Sequence, residues 1–476
     1  MNKRHIPFGL IIISLLFILI IRDLFRDGMF MDGLLYASVA NNLANGLGSF
    51  WHPHFSQTVM PDFHEQPPLL FGIEAVFMKL FRNSIYAERI YGLLVVLISI
   101  FLIHKLWKCI SQDRNEKNIS WLPVLFWLCI PVCYWSYANN MEEPTMGMFD
   151  LGAMLFISKS IIQRNRTYLN LFLAALMLIA ASMCKGFQGL FPLTAIFFYW
   201  VVFKNISFSK MLKNSIFILL VIVAFYGIIL LNESVRSSYE MYFNNRIVGT
   251  FAHPAITHTD RLHIVKELFS ELLPVIIIMF LGGIIIRIKK KDIALDKNSI
   301  RISLWFILIA LSGTLPLMIT MEQSGFYMVM AFPYYAIGFA ILFAPFLSTH
   351  IEQINTDSKK YKIWTMFAWL IVASAVIFSV ITIAYVPKRE KEMLNDIYCI
   401  GPIITSGSII GIPKEMDDDW HLYMYCSRYF NISLDVSSLR HKYFLLDKKW
   451  DRKLVPEGYK ALNLPTQKYN LFIRNP

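Results

Sequence analysis

Residues 169–202 read LNLFLAALMLIAASMCKGFQGLFPLTAIFFYWVV. A helix crosses a bilayer in about 20 apolar residues, so this stretch is too long for one crossing and too apolar for a wetted surface. Its one charged side chain is Lys185, set between Cys184 and Gly186 and followed by Phe187, Gln188 and Gly189. Such a sequence predicts a tight turn, with spans 169–184 and 187–203 on either side and the lysine at a membrane surface. An unpartnered cation at that depth costs about 2.5–3.5 kcal/mol. Lys185 therefore either snorkels to the headgroups or has an anion beside it, and a lipid phosphate would suit.

The rest of the chain has the same texture. Apolar residues make up 56% and charged residues 16%, and the mean hydropathy is +0.49, far outside the range of soluble globular proteins. Further candidate spans fall near 7–21, 88–107, 119–135, 144–160, 214–231, 271–288, 302–320, 325–346 and 362–386. The expected fold is an all-α polytopic membrane protein of about 11 transmembrane helices. With Lys3 and Arg4 inside, the alternate loops on that side carry Lys108, Arg114 and Lys117; Arg164 and Arg166; Lys204, Lys210 and Lys213; Arg287 and Lys289–Lys291; and Lys359, Lys360 and Lys362. Each turn obeys the positive-inside rule. The net charge of +12 is thus a topology signal, and no nucleic-acid partner is expected.

The first apolar run is followed by Arg22 and Asp23 without a small-residue cleavage site, so it is expected to stay as an anchor. The outward loops are then 22–87 and 232–270, and an odd number of spans puts residues 387–476 outside as well. That tail shows mixed charge and short β-prone runs at 408–412, 432–436, 443–446 and 469–473. It reads as a small soluble α/β domain appended to a membrane domain of residues 1–386. Asp417–Asp419 mark a helix start. Cys399 and Cys426 could pair in an oxidising compartment, whereas Cys109, Cys129, Cys133 and Cys184 read as apolar fillers. The sequence shows neither an internal repeat nor a soluble nucleotide-binding fingerprint.

The first outward loop gathers most of the chemistry. Residues 26–33 lead into 34–47, where Leu35, Val39 and Leu43 share one face and predict a helix lying on the membrane. His52, His54, Asp62, His64 and Glu65 follow, then Gln66, Pro67, Pro68 and Leu69, then an amphipathic stretch at 70–81. Taken alone, Asp32 is a helix N-cap. The next outward turn sets Glu142 and Glu143 before Pro144, at the start of a membrane helix where carboxylates suit the helix dipole. The second large loop holds Arg246, His253, His258, Arg261 and His263; guanidinium groups grip phosphate and imidazoles bind metals.

Together these features resemble the GT-C superfamily of integral membrane glycosyltransferases, especially the bacterial family 39 group related to protein O-mannosyltransferases and the lipid A aminoarabinose transferase. The resemblance covers most of residues 1–386. It rests on Met31, Asp32 and Gly33 with Tyr36 and Ala37, on Glu65 to Leu69, on the acid before Pro144, on Lys185, Gly186 and Pro192, and on Tyr327 to Pro333. Two departures stand out: Gln66 occupies a position that is commonly Lys, and Glu142 and Glu143 stand where relatives usually have Asp.

The resemblance implies a polyprenyl-phosphate sugar donor, an inverting transfer to a lipid, glycan or protein acceptor, and a site on the outer face of a bacterial cytoplasmic membrane. Asp32 would be the general base. Glu143, with Glu142 beside it, would orient the acceptor or support the base. Lys185, Arg246 and Arg261 would neutralise the phosphate leaving group. A divalent metal ion is also implied, with Glu65 and His258 as ligands and His253 in reserve. The competing reading is a transporter or flippase of a lipid-linked or anionic substrate, which calls for broken helices and polar groups near mid-membrane in two related halves. Here the ionisable groups cluster at the outward ends of spans instead. A non-catalytic scaffold would account for the tail but give the loop acids and Lys185 no task.

Overall fold

The computed structural model of the chain describes residues 3–82, 84–111, 114–164, 166–252, 260–288, 296–385, 387–438 and 440–475. Among the described residues, nine helices are long and apolar enough to cross a membrane: Lys3–Phe25, Ala87–Ile110, Glu142–Gln163, Thr167–Phe203, Phe208–Ile229, His263–Ile285, Lys297–Ile319, Phe332–Glu352 and Lys359–Tyr385. Two local features link this count to the expected eleven. Thr167–Phe203 doubles back: Gly186 takes φ +69°, and a Cβ on Gly189 would lie 2.7 Å from the Ala181 backbone. Eight residues of straight helix would separate those positions by about 12 Å. The expected span at 119–135 breaks at Ile130, which is extended ahead of Pro131, giving Trp121–Leu128 and Pro131–Tyr137. Proline forces the residue before it out of the helical region and ends the first piece there.

Several spans turn large apolar side chains outward. Leu220, Val223 and Ile228 on Phe208–Ile229, Phe269 and Phe280 on His263–Ile285, and Phe367, Trp369 and Leu370 on Lys359–Tyr385 are all exposed. Water would not tolerate that surface, whereas lipid matches it, and helices keep their backbone groups satisfied there. The chain is a multi-pass membrane protein. Polar caps close helix starts at the ends of the spans: the Ser207 side chain accepts from the Lys210 N–H, and that of Asp296 from the Asn298 and Ser299 N–H groups.

The chain forms two compact units. The first comprises 1–22, 93–138 and 142–381, and the second 23–92, 139–141 and 382–476. In the first, Trp305 is fully buried, donates its indole N–H to the Ala195 carbonyl at 2.9 Å and meets the Tyr199 ring at 5.1 Å, edge to face. That satisfied donor lets a large aromatic fill the space between Lys297–Ile319 and Ala195–Phe203.

The second unit holds a five-stranded sheet of order β2-β1-β3-β5-β4, where β1 is Ile409–Gly411, β2 Ser433–Asp435, β3 Tyr443–Asp447, β4 Tyr459–Ala461 and β5 Tyr469–Arg474. β1 runs parallel to β2 and β3, and β5 runs antiparallel to β3 and β4. Parallel strands need a crossover, supplied between β1 and β2 by the helix Trp420–Phe430. Asp419 caps that helix through the Leu422 N–H, within the acidic run that marks its start in the sequence. Buried Asp396 accepts three backbone N–H groups, from Gln467, Lys468 and Tyr469 at 2.6, 2.6 and 2.7 Å, and so ties the helix Lys391–Ile400 to the start of β5. Cys399 and Cys426 are free thiols.

Two helices of the second unit come from the first loop: α1, Met31–Ala44, and α2, Leu69–Leu80. α2 is amphipathic as its spacing predicts, with Leu70, Phe71, Ala75 and Met78 buried and Val76 and Leu80 exposed. α1 departs from expectation. It is buried at Gly33, Leu34 and Tyr36–Asn42, more widely than a single apolar face requires, while Leu35 and Leu43 stay partly exposed. Small residues account for this: Ala37, Ser38 and Ala40 leave room for neighbours on the faces that the leucine spacing marks as outward. A Cβ on Gly33 would lie 1.8 Å from the Asn139 carbonyl oxygen. Asp32 lies in the first turn behind Phe30, which occupies the N-cap position, so it is not the cap that it suggests in isolation.

Buried charges lock this unit. Arg428 donates to Glu88 at 2.5 Å with both side chains out of solvent. Arg89 donates to the Phe25 and Arg26 carbonyls, each at 2.8 Å. Glu74 is fully buried and accepts from the Asn140 amide at 3.3 Å. Burial first, and the nearby Glu88 second, push its carboxyl well above the ordinary range. An acid whose folded-state pKa is raised contributes stability at low pH that is lost as pH rises through that pKa. Glu74→Gln keeps the neutral form at every pH. In detergent, its melting temperature should exceed that of the wild type at pH 8 by several degrees, and the gap should narrow at pH 5.

Candidate functional site

The turn after Thr167–Lys185 brings a cation to two acids. Glu142 and Glu143 occupy the first turn of Glu142–Ser158, and both are fully buried. Lys185 Nζ lies 2.6 Å from Glu142 Oε1 and also hydrogen-bonds Glu143 Oε1. Both side chains leave the first turn of the helix and meet the same ammonium, where the dipole adds to its pull. Gly186 is required at the turn. Besides its positive φ, a Cβ there would meet the Tyr242 hydroxyl at 2.2 Å.

The ammonium also stands 4.7 Å from the centre of the Tyr327 ring, a cation–π contact strengthened by burial. Tyr327 donates its hydroxyl to Glu322 at 3.1 Å, and Arg246 donates to the same Glu322 oxygen at 2.7 Å. Gln188 donates to the Tyr327 carbonyl at 2.6 Å. Burial raises the Tyr327 phenol above its usual value, so it stays a neutral donor. One chain of contacts therefore links Glu142 and Glu143 through Lys185, Tyr327 and Glu322 to Arg246. Of the expected phosphate ligands, Lys185 and Arg246 belong to this chain. The Arg261 backbone carbonyl accepts from Gln323, the residue after Glu322, at 3.0 Å.

Beside the turn lies a cavity of about 760 Å³ between Thr167–Phe203, Phe208–Ile229 and Glu233–Tyr242. Leu219, Ile222 and Val223 form its apolar wall, Gly186 and Tyr242 lie at the Lys185 end, and Arg236 and Glu240 add charge. A cavity of that size accepts a lipid-like chain rather than a few waters.

The second unit carries Asp32 and Glu65. Asp32 sits partly buried in the first turn of α1, and Glu65 lies partly buried in the segment before α2. Phe30 N–H and Lys388 Nζ both donate to Asn139 Oδ1, at 3.1 and 2.8 Å. Burial lowers the Lys388 ammonium to about 7, so a protonatable amine stands at the entry to α1. His253 and His258 lie outside the described residues. Among the described residues, one group could hold a metal: His52, Asp62 and His64, whose ligand atoms lie within 4.8 Å of one another. Burial and then the neighbouring His52 lower the His64 imidazole below its ordinary value.

Comparisons with known proteins bear on the whole arrangement. The crystal structure of ArnT from Cupriavidus metallidurans bound to undecaprenyl phosphate superposes with a TM-score of 0.65 at 12% identity, covering 98% of this chain and 97% of that one. Its apo form gives 0.62 at 12% identity, covering 97% and 96%. The chain shares the fold of these ArnT structures. Residues 65–231 match the family model described as dolichyl-phosphate-mannose-protein mannosyltransferase. No curated protein matches the sequence. The matched segment takes in Glu65, both glutamates and Lys185, whereas Asp32, Arg246 and Glu322 lie outside it.

Sequence reasoning missed Glu322. Its one signal is an acid between spans on the side where Arg246 also lies. Tyr327 stands out only through its resemblance to a motif. The buried Lys185 cluster gives a direct test, because removing one partner of a buried ion pair costs about 3–5 kcal/mol. Lys185→Met should lower the melting temperature in detergent sharply, whereas Lys185→Met combined with Glu142→Gln and Glu143→Gln should recover most of the loss.

Proposed function

We propose that this chain is an inverting glycosyltransferase that moves a sugar from a polyprenyl-phosphate donor to an acceptor hydroxyl or phosphate at the outer face of a bacterial cytoplasmic membrane. The observation that carries this reading is the apolar cavity of about 760 Å³ that ends at Gly186, next to the Lys185 cluster. An isoprenoid tail needs a long apolar berth, its phosphate needs cations at one end of that berth, and the first unit offers both. The shared fold with an ArnT structure bound to undecaprenyl phosphate supports the same donor chemistry.

In the reaction, the acceptor oxygen attacks the sugar's anomeric carbon from the face opposite the phosphate. The carbon–oxygen bond to phosphate breaks, the new glycosidic bond forms with inversion, and polyprenyl phosphate departs as the anion. Asp32 takes the acceptor proton as the bond forms. Arg246 and Arg261 take up the negative charge that grows on the phosphate, and this charge stabilisation matters more than protonation of so good a leaving group. Lys185 has three N–H donors. Two of them already serve Glu142 and Glu143, so the third is the one that it offers to phosphate. Glu143 and Glu142 hold that ammonium in place and orient the acceptor. Residues 387–476 form the outward-facing α/β part.

The test is transfer of radiolabelled sugar from a panel of polyprenyl-phosphate donors to membrane extracts, comparing the wild type with Asp32→Asn at matched, correctly inserted levels. Wild-type transfer from at least one donor, reduced at least a hundredfold in Asp32→Asn, is the expected result. Equal transfer by the two proteins removes Asp32 as the base. No transfer from any donor turns the reading towards lipid transport.

A further inference from the structure

The segment 48–64 is folded in a way that its sequence does not require for a plain connection between α1 and α2. Gly48 and Pro53 form an isolated antiparallel bridge, and Ser49 N–H donates to the His52 carbonyl at 2.9 Å. Phe63 N–H donates to the Pro53 carbonyl at 2.8 Å, and Phe55 N–H to the Met60 carbonyl at 3.1 Å. From beneath, the Asn42 amide donates to the His54 and Phe55 carbonyls at 3.3 and 2.5 Å. Phe55 and Phe63 are buried, and Phe63 meets Phe71 of α2 at 5.5 Å, edge to face. The outcome is a pinned loop whose two arms run side by side, with His52 on one and Asp62 and His64 on the other.

The geometry points to a transition-metal site on this loop, with His52, Asp62 and His64 as ligands to Zn²⁺ or a metal of similar preference. The ligand atoms of all three lie within 4.8 Å of one another, with His52 Nδ1 3.9 Å from Asp62 Oδ1. That separation is too long for a hydrogen bond between the two. A tetrahedral zinc with bonds of about 2.0–2.1 Å holds its ligands roughly 3.4 Å apart, so closing even a 4.8 Å separation takes about 0.7 Å from each side chain. The His52 and His64 rings stand edge to face at 5.2 Å, an arrangement that brings both imidazoles to one point without stacking them. Two nitrogens and one carboxylate oxygen suit zinc, cobalt or copper far better than magnesium or calcium, which favour all-oxygen sites.

Three protein ligands leave a fourth position open to water or to an anionic oxygen. These ligands differ from Glu65 with a histidine of the 232–270 loop, the set that the family resemblance implies. The inference also stands apart from the transferase reading, since it concerns binding of a metal and not turnover.

The experiment uses the full chain in detergent, purified without a histidine tag, stripped with chelator and titrated with Co²⁺. Expected are visible ligand-field bands of a tetrahedral site that saturate at one equivalent and are displaced by Zn²⁺. Asp62→Asn and His52→Gln should each weaken Co²⁺ binding at least tenfold. Asp62 is largely exposed, at 59%, so its replacement leaves the fold intact, and gel filtration checks this. Glu65→Gln with His258→Gln should keep the bands. Absence of the bands from the wild type overturns the proposal. So does their loss in the Glu65→Gln, His258→Gln protein together with their survival in both Asp62→Asn and His52→Gln.

Discussion

A single ammonium held by two carboxylates at the end of a membrane helix sets the terms for the first unit. Lys185, its side chain only 10% exposed, could not remain where it is without Glu142 and Glu143, and neither acid could stay out of solvent without Lys185. The low dielectric around them makes the attraction strong and makes any mismatch expensive. Because the acids open one helix and the lysine closes another, their pairing fixes the relative height of Glu142–Ser158 and Thr167–Lys185. The position of the turn at Gly186 follows, and with it that of Tyr242 and the cavity wall. Tyr327 and Glu322 then extend the polar run to Arg246 without leaving a buried charge on its own.

Much of the fold is legible in the chain because a bilayer allows so few solutions. Long apolar runs give spans, and the acids at 417–419 mark a helix start. Less legible is any surface made by small residues. The leucine spacing of α1 points to one apolar face, yet glycine, alanine and serine let the chain pack on the others, and such packing depends on neighbours far away in sequence. Lys185 is conspicuous as one cation in an apolar stretch, and the paired glutamates are conspicuous as acids at a helix start. That they meet is a tertiary fact. Glu322 is an ordinary loop acid until Arg246 and Tyr327 are placed beside it. The histidines at 52 and 64 stand out by type, but the Pro53–Phe63 hydrogen bond that draws their arms together has no sequence signature.

The cavity and the cluster divide labour by polarity. On the proposed function, one would accept hydrocarbon with little preference among chains of similar girth, because apolar contacts carry no direction. The other is charged and directional, and it discriminates by geometry. Selectivity for a headgroup would then reside in the polar run, and tolerance of different tails in the cavity.

The Glu88–Arg428 pair carries a consequence for how such a chain can change over time. Glu88 lies near the start of the long helix Ala87–Ile110, and Arg428 lies in a helix beside the C-terminal sheet, yet the two share one solvent-free contact. A gene that lost its last fifth would strand an acid in the interior, and one that acquired a foreign tail would do the same unless the newcomer brought its own arginine to that spot. The C-terminal region is therefore not an accessory that recombination can exchange freely. Its descent is bound to that of the helix start at Glu88, and the two should diverge in step.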